Sequence, residues 1–373
     1  MRRGWFYILP TLAIGFVLLE CKPPTPLRPQ FVYVANFYSN LVSAYSIGSN
    51  GALTPVPGSP FGEDAAVGPV SVAVDPTAKF AYVANFASNN ISAFSIGSNG
   101  VLIPLPGSPF AGGQTPFSIV VEPTAKFAYV ANRFGSNISA YSIGYSGALT
   151  PIPGSPFAAG YEPYSVAVDP TAKFFYVANF SSNNVSAYGI GSNGDLTPVS
   201  GSPFATGVGP VSVAVNATAK FAYVVNFSSK NVSVYSIGSN GALTPVSGSP
   251  FPAGVGPVSV AMGPRAKFAY VANRSSNDVS AYRIASNGAL TPVPGSPFPA
   301  GFGPLSVAAE PMAKFAYVAN IDSNDISAYS IASNGALTPV PGSPFRARVK
   351  PASVAITRLM PLQSPYETEN TAR

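Results

Sequence analysis

The chain has 373 residues, of which 47% are apolar and 9% are charged, and its formal net charge is +6. Its 40 prolines and 35 glycines are spread evenly, which is typical of many short strands and turns and excludes a mainly helical body. The absence of histidine and the single cysteine exclude intramolecular disulfides and Ser-His-Asp or Cys-His catalysis.

Residues 1–21 have the features of an export signal. Arg2 and Arg3 precede an apolar run from Trp5 to Leu19, which is shorter than the stretch of about 20 residues that spans a bilayer. The arginine pair also resembles a twin-arginine signal, and an uncleaved membrane anchor is the remaining alternative. We therefore predict that the protein is exported to the periplasm, the cell surface or the medium.

The single cysteine, Cys21, lies where a bacterial lipoprotein signal is cleaved and its cysteine is acylated. Glu20 departs from the small residue that such a signal has before the cysteine. Acylation of Cys21 is therefore one alternative for the anchoring of the protein, and residues 22–30 are predicted to form a linker to the folded part.

The rest of the chain is a sevenfold repeat. The tetrapeptide YVAN, once YVVN, recurs at a spacing of 49 residues once and 47 residues five times, and the tetrapeptide GSPF ends 28 residues after each tyrosine. The first element begins at Tyr33, Tyr82, Tyr129, Tyr176, Tyr223, Tyr270 and Tyr317, and the second ends at Phe61, Phe110, Phe157, Phe204, Phe251, Phe298 and Phe345. A period of this size predicts a solenoid or a propeller, and the strand content decides between them.

One unit, residues 116–157, shows four predicted strands. We predict an A strand over Ser118 to Val121, a B strand over Phe127 to Asn132, a C strand over Asn137 to Ile143 and a D strand over Ala148 to Ile152. Both faces of the B and C strands carry apolar or small residues, so both faces must be covered, as they are when blades stack on blades. The sequence therefore predicts a seven-bladed β-propeller with four antiparallel strands per blade.

Two connections complete this prediction. The turn between the C and D strands is Ser-Asn-Gly in most copies, as at Asn50-Gly51, and Asn-Gly supplies the positive φ angles of a tight hairpin. The first unit begins with its B strand at Phe31 to Asn36 and has no A strand, whereas Ser353 to Ile356 is an A strand with no blade. Pairing these two segments would close the ring and remove its open edges.

The YVAN element, the PxSVAV strand before it and the SNGALTPVPGSPF stretch after it resemble the bacterial YVTN-type propellers and, more closely, the seven-bladed lactonase family. The resemblance covers about Phe31 to Ile356, and we predict a propeller domain over residues 31–358 followed by a flexible tail over 359–373. The family includes 6-phosphogluconolactonases and carboxymuconate cyclases. Its enzymes are thought to use histidine, arginine and glutamate around the central funnel, and this chain lacks the histidine.

The sequence offers few cofactor or metal ligands, and we predict neither. Asp322, Asn324 and Asp325 form the best candidate for a cation site because their side chains offer hard oxygens. The stretch lacks the ordered length of a calcium loop, so a solvated turn between the B and C strands is the favoured interpretation.

The near-identity of the seven copies restricts where chemistry can occur. A catalytic site needs unlike groups in fixed positions, whereas seven nearly equal blades surround a nearly symmetric funnel. Candidate residues are therefore those that depart from the repeat in the D–A loops, which join successive blades, and in the B–C loops, although neutral drift of exposed loops is the alternative. They are Glu63, Asp64, Gln114, Arg133, Tyr161, Glu162, Lys230, Arg274, Asp278, Arg346, Arg348 and Lys350.

Two of these loops are neighbours in the predicted ring. The acidic loop of Glu63 and Asp64 joins blades one and two, and the basic loop of Arg346, Arg348 and Lys350 joins blades seven and one. One interpretation is a set of exposed ion pairs, each contributing about 0 to 1 kcal/mol. The functional interpretation is a cleft in which arginine holds a sugar acid or phosphate while a carboxylate activates water.

For a lactonase we predict that the D–A loops lie nearest the funnel mouth and that the B–C loops, with Arg133 and Arg274, lie farther out. The site residues predicted on that basis are Glu63, Asp64, Glu162, Arg346 and Arg348.

Near-symmetry and the missing histidine favour a non-catalytic role. We predict a monomeric binding or scaffold module for another protein or an extracellular polymer, with a lactonase acting on a small sugar lactone as the alternative and a purely structural envelope protein as a third. Most lysines recur once per repeat, which predicts solvated turns instead of the clustered, aromatic-rich basic patch of a nucleic-acid binder. We therefore predict no nucleic-acid partner, and contact with a membrane only through the N-terminus.

Overall fold

The computed structural model describes residues 29–62, 66–263, 266–310 and 314–357. These residues form strands, turns and bends, and no α-helix is found among them. Nor does any described segment form a helix long and apolar enough to cross a membrane. The predicted signal, linker and tail lie outside the described residues, apart from positions 29 and 30 of the linker.

The strands form seven antiparallel sheets in the order A-B-C-D, which confirms the predicted seven-bladed propeller. The inner A strands are Pro351–Ile356 in blade one and then Pro69–Val74, Pro116–Val121, Pro163–Val168, Pro210–Val215, Pro257–Met262 and Pro304–Ala309. The B strands are Phe31–Asn36, Phe80–Asn85, Phe127–Asn132, Phe174–Asn179, Phe221–Asn226, Phe268–Asn273 and Phe315–Asn320.

The outer strands follow the same order. The C strands are Leu41–Ile47, Asn90–Ile96, Asn137–Ile143, Asn184–Ile190, Asn231–Ile237, Asp278–Ile284 and Asp325–Ile331. The D strands are Leu53–Pro55, Leu102–Pro104, Leu149–Pro151, Leu196–Pro198, Leu243–Pro245, Leu290–Pro292 and Leu337–Pro339.

Six sheets also contain a fifth, two-residue strand that begins at the phenylalanine of GSPF and pairs with the start of the C strand. These strands are Phe110–Ala111, Phe157–Ala158, Phe204–Ala205, Phe251–Pro252, Phe298–Pro299 and Phe345–Arg346. In blade one the same pairing is a single bridge between Val42 and Phe61. Periodicity could not predict this strand, because two residues are too few to show an alternation.

The predicted ring closure is confirmed. Pro351–Ile356 pairs antiparallel with Phe31–Asn36, with Val34 opposite Val354. Beyond the strand, the backbone N–H of Phe31 donates to Thr357 Oγ1 over 2.8 Å, and the N–H of Thr357 donates to the Phe31 carbonyl over 3.0 Å. The C-terminal segment therefore completes blade one and covers the inner edge of Phe31–Asn36.

The turn between the C and D strands differs from its prediction in one detail. Gly51 has a φ of +84°, whereas Asn50 is not among the residues with positive φ. The N–H of Gly48 donates to the Ala52 carbonyl and the N–H of Gly51 to the Gly48 carbonyl, both over 2.9 Å. This is a turn closed by a left-handed glycine, so only the glycine needs the unusual backbone angle.

Alternate residues of each B strand pack on different neighbours, which explains why both faces are apolar. In blade one, Val32 and Val34 pack in a cluster with Tyr317 of blade seven. Tyr33 on the opposite face packs in a cluster with Val83 of blade two. Every B strand therefore contributes to two hydrophobic cores, one on each side of its blade.

The tyrosine of the YVAN element links each blade to the next. Its hydroxyl donates to the carbonyl of the C–D turn glycine in the following blade over 2.8 to 3.2 Å, in all seven copies. The copy from Tyr317 to Gly51 crosses the closure between blades seven and one. Burial raises the pKa of each of these tyrosines, so the hydroxyls remain protonated donors.

Candidate functional site

A cavity of about 510 Å³ lies among the A strands and the loops that follow the B strands. Its wall includes one serine from every A strand, and each serine Oγ accepts the backbone N–H of the next A strand over 3.1 to 3.3 Å. These serines are Ser71, Ser118, Ser165, Ser212, Ser259, Ser306 and Ser353. The volume lies in the range of small-molecule sites, and the serines give the wall a sevenfold ring of identical polar groups.

Three charged side chains break that symmetry on one side of the cavity. Lys350 Nζ lies 2.9 Å from Asp322 Oδ1, and Arg274 Nη2 lies 3.9 Å from Asp322 Oδ2. All three side chains line the cavity, and 43% of the Asp322 side chain is exposed. We call Arg274, Asp322 and Lys350 the charged cluster. Two cations and one carboxylate leave it with one net positive charge, so it is suited to an anionic ligand.

The backbone around the charged cluster is shaped for these side chains. Lys350 has a φ of +59°, at a repeat position where Gly303 and three other copies have glycine. This position has a positive φ in all seven copies, including Thr115 and Glu162, so the left-handed angle belongs to the repeat and costs a non-glycine residue such as Lys350 about 1–2 kcal/mol. The N–H of Lys350 donates to Asn324 Oδ1 over 2.8 Å, and a Cβ at Gly303 would overlap Asp322 Oδ2. Gly303 therefore leaves the space that the Asp322 carboxylate occupies.

In the structure, the three side chains of the candidate cation-binding stretch each have different partners. Asp322 contacts Lys350 and Arg274, Asn324 accepts the Lys350 N–H, and Asp325 Oδ1 accepts a hydrogen bond from Asn320 Nδ2 over 2.7 Å. The three side chains therefore do not converge on one point. Among the described residues no group of three or more carboxylate or thiol side chains could hold a metal ion.

The expectation that B–C loops lie farther from the funnel than D–A loops is wrong. Phe37, Phe180, Phe227, Arg274 and Asp322 belong to B–C loops, and all of them line the cavity. The residue after each buried asparagine donates its N–H to the carbonyl of the D–A loop residue just before the A strand, as Arg274 does to Gly256 over 2.8 Å. This hydrogen bond holds the start of every B–C loop against the inner strand, beside the cavity.

Glu162 forms a different, self-contained cluster. Its Oε1 accepts hydrogen bonds from Arg133 Nε over 3.1 Å and from Nη2 over 2.9 Å, and its Oε2 accepts one from the Ser181 hydroxyl. The Ser181 hydrogen bond is the main cause that lowers the Glu162 pKa, with Arg133 adding to it against the effect of burial. Glu162 is thus a paired, ionised carboxylate and is not among the residues that line the cavity.

The remaining predicted site residues lie elsewhere. Arg346 and Arg348 are exposed and are not among the residues that line the cavity. Their backbones contribute to the closure, since Tyr45 donates its hydroxyl to the Arg346 carbonyl over 2.8 Å. Glu63 and Asp64 lie outside the described residues. The structure therefore brings none of the three described residues of the predicted lactonase site to the cavity wall, whereas Arg274 and Lys350 from the wider set of repeat-breaking candidates do line it.

Sequence reasoning missed Asp322 as a cavity residue because an aspartate in a polar turn has the pattern of a solvated loop. The aromatic residues Phe37, Phe117, Tyr164 and Phe180, which also line the cavity, were missed because they sit in strands and loops that are otherwise repetitive. One signal was available. Six of the seven residues that follow the buried asparagine are phenylalanine or arginine, whereas turns are dominated by glycine, proline, asparagine, aspartate and serine.

The comparisons with known proteins agree on the architecture. The family model for the lactonase seven-bladed β-propeller matches residues 98–203 and 190–349, which together span more than half of the chain. A search of curated protein sequences returns no match.

Solved structures give the same result for the fold. A Bacteroides fragilis protein described as a candidate 6-phosphogluconolactonase has a TM-score of 0.77 at 20% identity, covering 88% of this chain and 98% of its own. The periplasmic gluconolactonase of Pseudomonas aeruginosa has a TM-score of 0.75 at 15% identity, covering 88% and 99%. A Desulfotomaculum acetoxidans protein of unknown function has a TM-score of 0.70 at 16% identity, covering 88% and 99%. At these identities the likeness concerns the fold alone. On the family match, the chain belongs to the lactonase family of seven-bladed β-propellers.

Proposed function

We propose that the protein hydrolyses a lactone in its central cavity. The observation that carries this proposal is the charged cluster, in which an exposed carboxylate and two cations share one wall of a ligand-sized cavity. Ester hydrolysis needs a base for water and positive charge for the oxyanion, and Asp322 with Lys350 and Arg274 supplies both. Membership of the lactonase family supports the same reaction class.

Each group has a role in the proposed reaction. Asp322 takes a proton from a water molecule, whose oxygen attacks the lactone carbonyl carbon. The developing oxyanion is stabilised by Lys350 and Arg274. When the ring C–O bond breaks, the leaving alkoxide takes the proton that Asp322 holds, and the product is a hydroxy acid. The carboxylate of that product is attracted by the same two cations.

The test compares Asp322→Asn with the wild type on glucono-1,5-lactone and dihydrocoumarin, with spontaneous hydrolysis subtracted. Loss of a general base should lower kcat by about 10²- to 10⁴-fold, and Arg274→Gln should raise KM. Asp195→Asn is the matched control, because Asp195 lies on a C–D turn at the opposite end of its blade. An unchanged rate in Asp322→Asn would overturn Asp322 as the base.

The same assay decides about the residues that the sequence singled out. Glu63→Gln, Asp64→Asn and Glu162→Gln should retain the wild-type rate if Asp322 is the base. Loss of activity in one of these variants, with Asp322→Asn active, would move the base to the D–A loops. No turnover by the wild type on either lactone would contradict the hydrolase and favour the binding module.

A second candidate, a module that binds another protein, is favoured by an apolar rim on the same face as the cavity. Six of the seven D–A loops expose an apolar side chain two residues before the A-strand proline, and Gln114 occupies the seventh position. These residues are Val67, Tyr161, Val208, Val255, Phe302 and Val349. Tyr161 is 73% exposed and Phe302 is 67% exposed, and exposed apolar groups that surround one opening mark interaction surfaces.

The rim makes its own prediction. The double variant Tyr161→Ser, Phe302→Ser should bind a protein partner isolated with the wild-type chain more weakly than the wild type does. The variant Tyr145→Ser should bind that partner as tightly as the wild type. Tyr145 is a suitable control because it is fully exposed on a C–D turn at the other end of the blade. A partner that binds all three proteins equally would exclude the rim as its docking surface. An extracellular polymer as ligand stays a prediction of the sequence.

We propose export for the same chain. Support comes from the arginine pair and apolar run within residues 1–21, and one structural neighbour is a periplasmic enzyme. Fractionation of a bacterial host should place the protein outside the cytoplasm. A fatty-acid analogue should label the wild type and not Cys21→Ser if the cysteine is acylated, and a label that persists in the variant would exclude acylation at Cys21.

A further inference from the structure

One side of the cavity carries a continuous row of aromatic rings. Ring centroids are 6.1 Å apart for Phe37 and Phe86, 6.0 Å for Phe86 and Phe117, 4.3 Å for Phe117 and Tyr164, and 5.2 Å for Tyr164 and Phe180. We call these five residues the aromatic arc. It crosses blades one to four, and all of its members except Phe86 line the cavity. Neighbouring ring planes are inclined by 37° to 77°, so the arc provides an extended apolar surface that offers both ring faces and ring edges to a ligand.

Arg133 makes cation–π contacts with the aromatic arc and is not among the residues that line the cavity. The Arg133 guanidinium carbon lies 5.6 Å from the Phe117 ring centroid and 4.6 Å from that of Tyr164. Glu162 accepts two hydrogen bonds from the same guanidinium, which neutralises its charge locally. Arg133 contacts two rings of the arc and Glu162, so it fixes the orientation of those rings. The cations that line the cavity are Arg274 and Lys350 of the charged cluster.

The charged cluster lies on blades six and seven and at the closure to blade one, so most of the aromatic arc lies on other blades. The cavity thus joins an aromatic surface to a net positive charge. Its other polar groups are dominated by the seven serines, whose oxygens each accept an interblade hydrogen bond, so each serine offers the cavity mainly its hydroxyl donor. A polyhydroxylated sugar also needs acceptors for its own hydroxyl hydrogens, because unpaired hydroxyls cost free energy on burial, and Asp322 is the one carboxylate among the residues that line the cavity.

We infer that the ligand of this cavity is a flat aromatic or unsaturated ring compound bearing a carboxylate, in preference to a polyhydroxylated sugar acid. The ring lies on the aromatic arc, and the carboxylate lies on Arg274 and Lys350. For the reaction, this inference rests on the proposed function: the substrate is the lactone of such an acid, and the product is the ring-opened hydroxy acid. As a statement about binding it stands on the cavity alone.

Binding of 2-naphthoate and D-gluconate to the full chain by calorimetry tests the inference. The two probes share a carboxylate and differ in the body that the arc would contact. We expect 2-naphthoate to bind at least tenfold more tightly. Equal affinities, tighter binding of gluconate, or no binding of 2-naphthoate would overturn the inference.

Variants copied from neighbouring blades locate the contact. Phe117 and Tyr164 occupy a repeat position where Val70, Val211 and Val258 stand in other blades, so Phe117→Val and Tyr164→Val introduce a residue that blades already carry. Each should weaken 2-naphthoate about tenfold through lost ring contact and leave gluconate unchanged. Val258→Leu is the control for a change at the same position away from the arc. An unchanged affinity for 2-naphthoate in both valine variants would overturn the inference, provided that their melting temperatures match the wild type.

Arg274→Gln tests the other end of the ligand. It should weaken both carboxylates, and it should not alter binding of the uncharged probe 2-naphthol. If it weakened neither carboxylate, the assigned orientation would be wrong.

Two lactones separate this inference from the proposed function. Hydrolysis of dihydrocoumarin with a higher kcat/KM than that of glucono-1,5-lactone supports both. Hydrolysis of gluconolactone alone, with no binding of 2-naphthoate, keeps the proposed function and overturns the inference. Binding of 2-naphthoate that depends on Phe117, with no hydrolysis of either lactone, keeps the inference and overturns the hydrolase.

Discussion

The junctions between blades and the B–C loops beside the cavity follow opposite rules. At the junctions, one hydrogen bond from a tyrosine hydroxyl to a glycine carbonyl and one from a backbone N–H to a serine Oγ recur in all seven copies. At the start of the B–C loops, the residue after the buried asparagine is aromatic in four blades, arginine in two and isoleucine in one, and five of these seven residues line the cavity. The side chains that hold the ring together, including the serines of the cavity wall, are therefore the same in every blade, whereas the loop side chains beside them vary.

The ring closure tests most directly how much the junctions stabilise the protein. Blade one combines strands near the start of the described chain with Pro351–Ile356 near its end, and only non-covalent contacts hold these segments together. A chain ending at Phe345 lacks the A strand of blade one and exposes the inner edge of Phe31–Asn36. We expect it to aggregate or to melt well below the full chain, with the melting temperature and size-exclusion profile as readouts. A chain ending at Thr357 is the matched control and should melt with the full chain. Equal melting of all three would contradict the observed seam as a source of stability.

The interblade tyrosines test whether the closure is as strong as an internal junction. Tyr317→Phe removes the hydrogen bond to Gly51 across the closure, and Tyr129→Phe removes the equivalent one to Gly194. Each leaves a buried carbonyl unpaired and should lower the free energy of unfolding by about 1–3 kcal/mol. Denaturant titration should give equal losses. A much larger loss for Tyr317→Phe would show that the closure is the weaker junction.

The smallest expected effect concerns Glu162, which lies in a D–A loop at a position that varies among the blades. Its pKa is lowered in the folded protein from 4.5, mainly by the Ser181 hydrogen bond, so its stabilising contribution is present above the unfolded value and is lost as the pH falls through the folded pKa. Glu162→Gln should therefore melt below the wild type at pH 7, with the gap closing as the pH falls below about 4.5. A gap that did not depend on pH would mean that the loss comes from packing and not from charge.

Much of the fold could be predicted from the spacing of two tetrapeptides. The B and C strands of the third unit begin and end where the sequence predicts, at Phe127 to Asn132 and Asn137 to Ile143. The A strand begins two residues earlier than predicted, at Pro116, because a register shift at Asn132 lets Pro116 pair with it. Such a shift depends on the partner strand and leaves no mark in local periodicity.

The candidate site could be predicted only in part. The rule that asymmetry must come from repeat-breaking residues does identify Arg274 and Lys350. It does not distinguish them from Arg346 or Arg348, because all four are basic residues in loops at the same end of the blades. Asp322 and the aromatic arc were missed because their role depends on neighbours that are distant in the sequence. Asp322 and Lys350 are 28 residues apart, and neighbouring rings of the arc are 16 to 49 residues apart.

The sequence by itself determined the number of blades, the four-stranded unit and the closing segment, because hydrogen-bonded strands and tight turns impose short-range patterns that recur with the unit. The tertiary structure alone decided which loop side chains face the cavity. Backbone hydrogen bonds between B–C and D–A loops, such as that from Phe37 N–H to the Lys350 carbonyl over 2.8 Å, hold residues against the inner strands. A bond between residues more than 300 positions apart has no local pattern, so only the closed ring shows that Lys350 of the charged cluster lies beside Phe37 at one end of the aromatic arc.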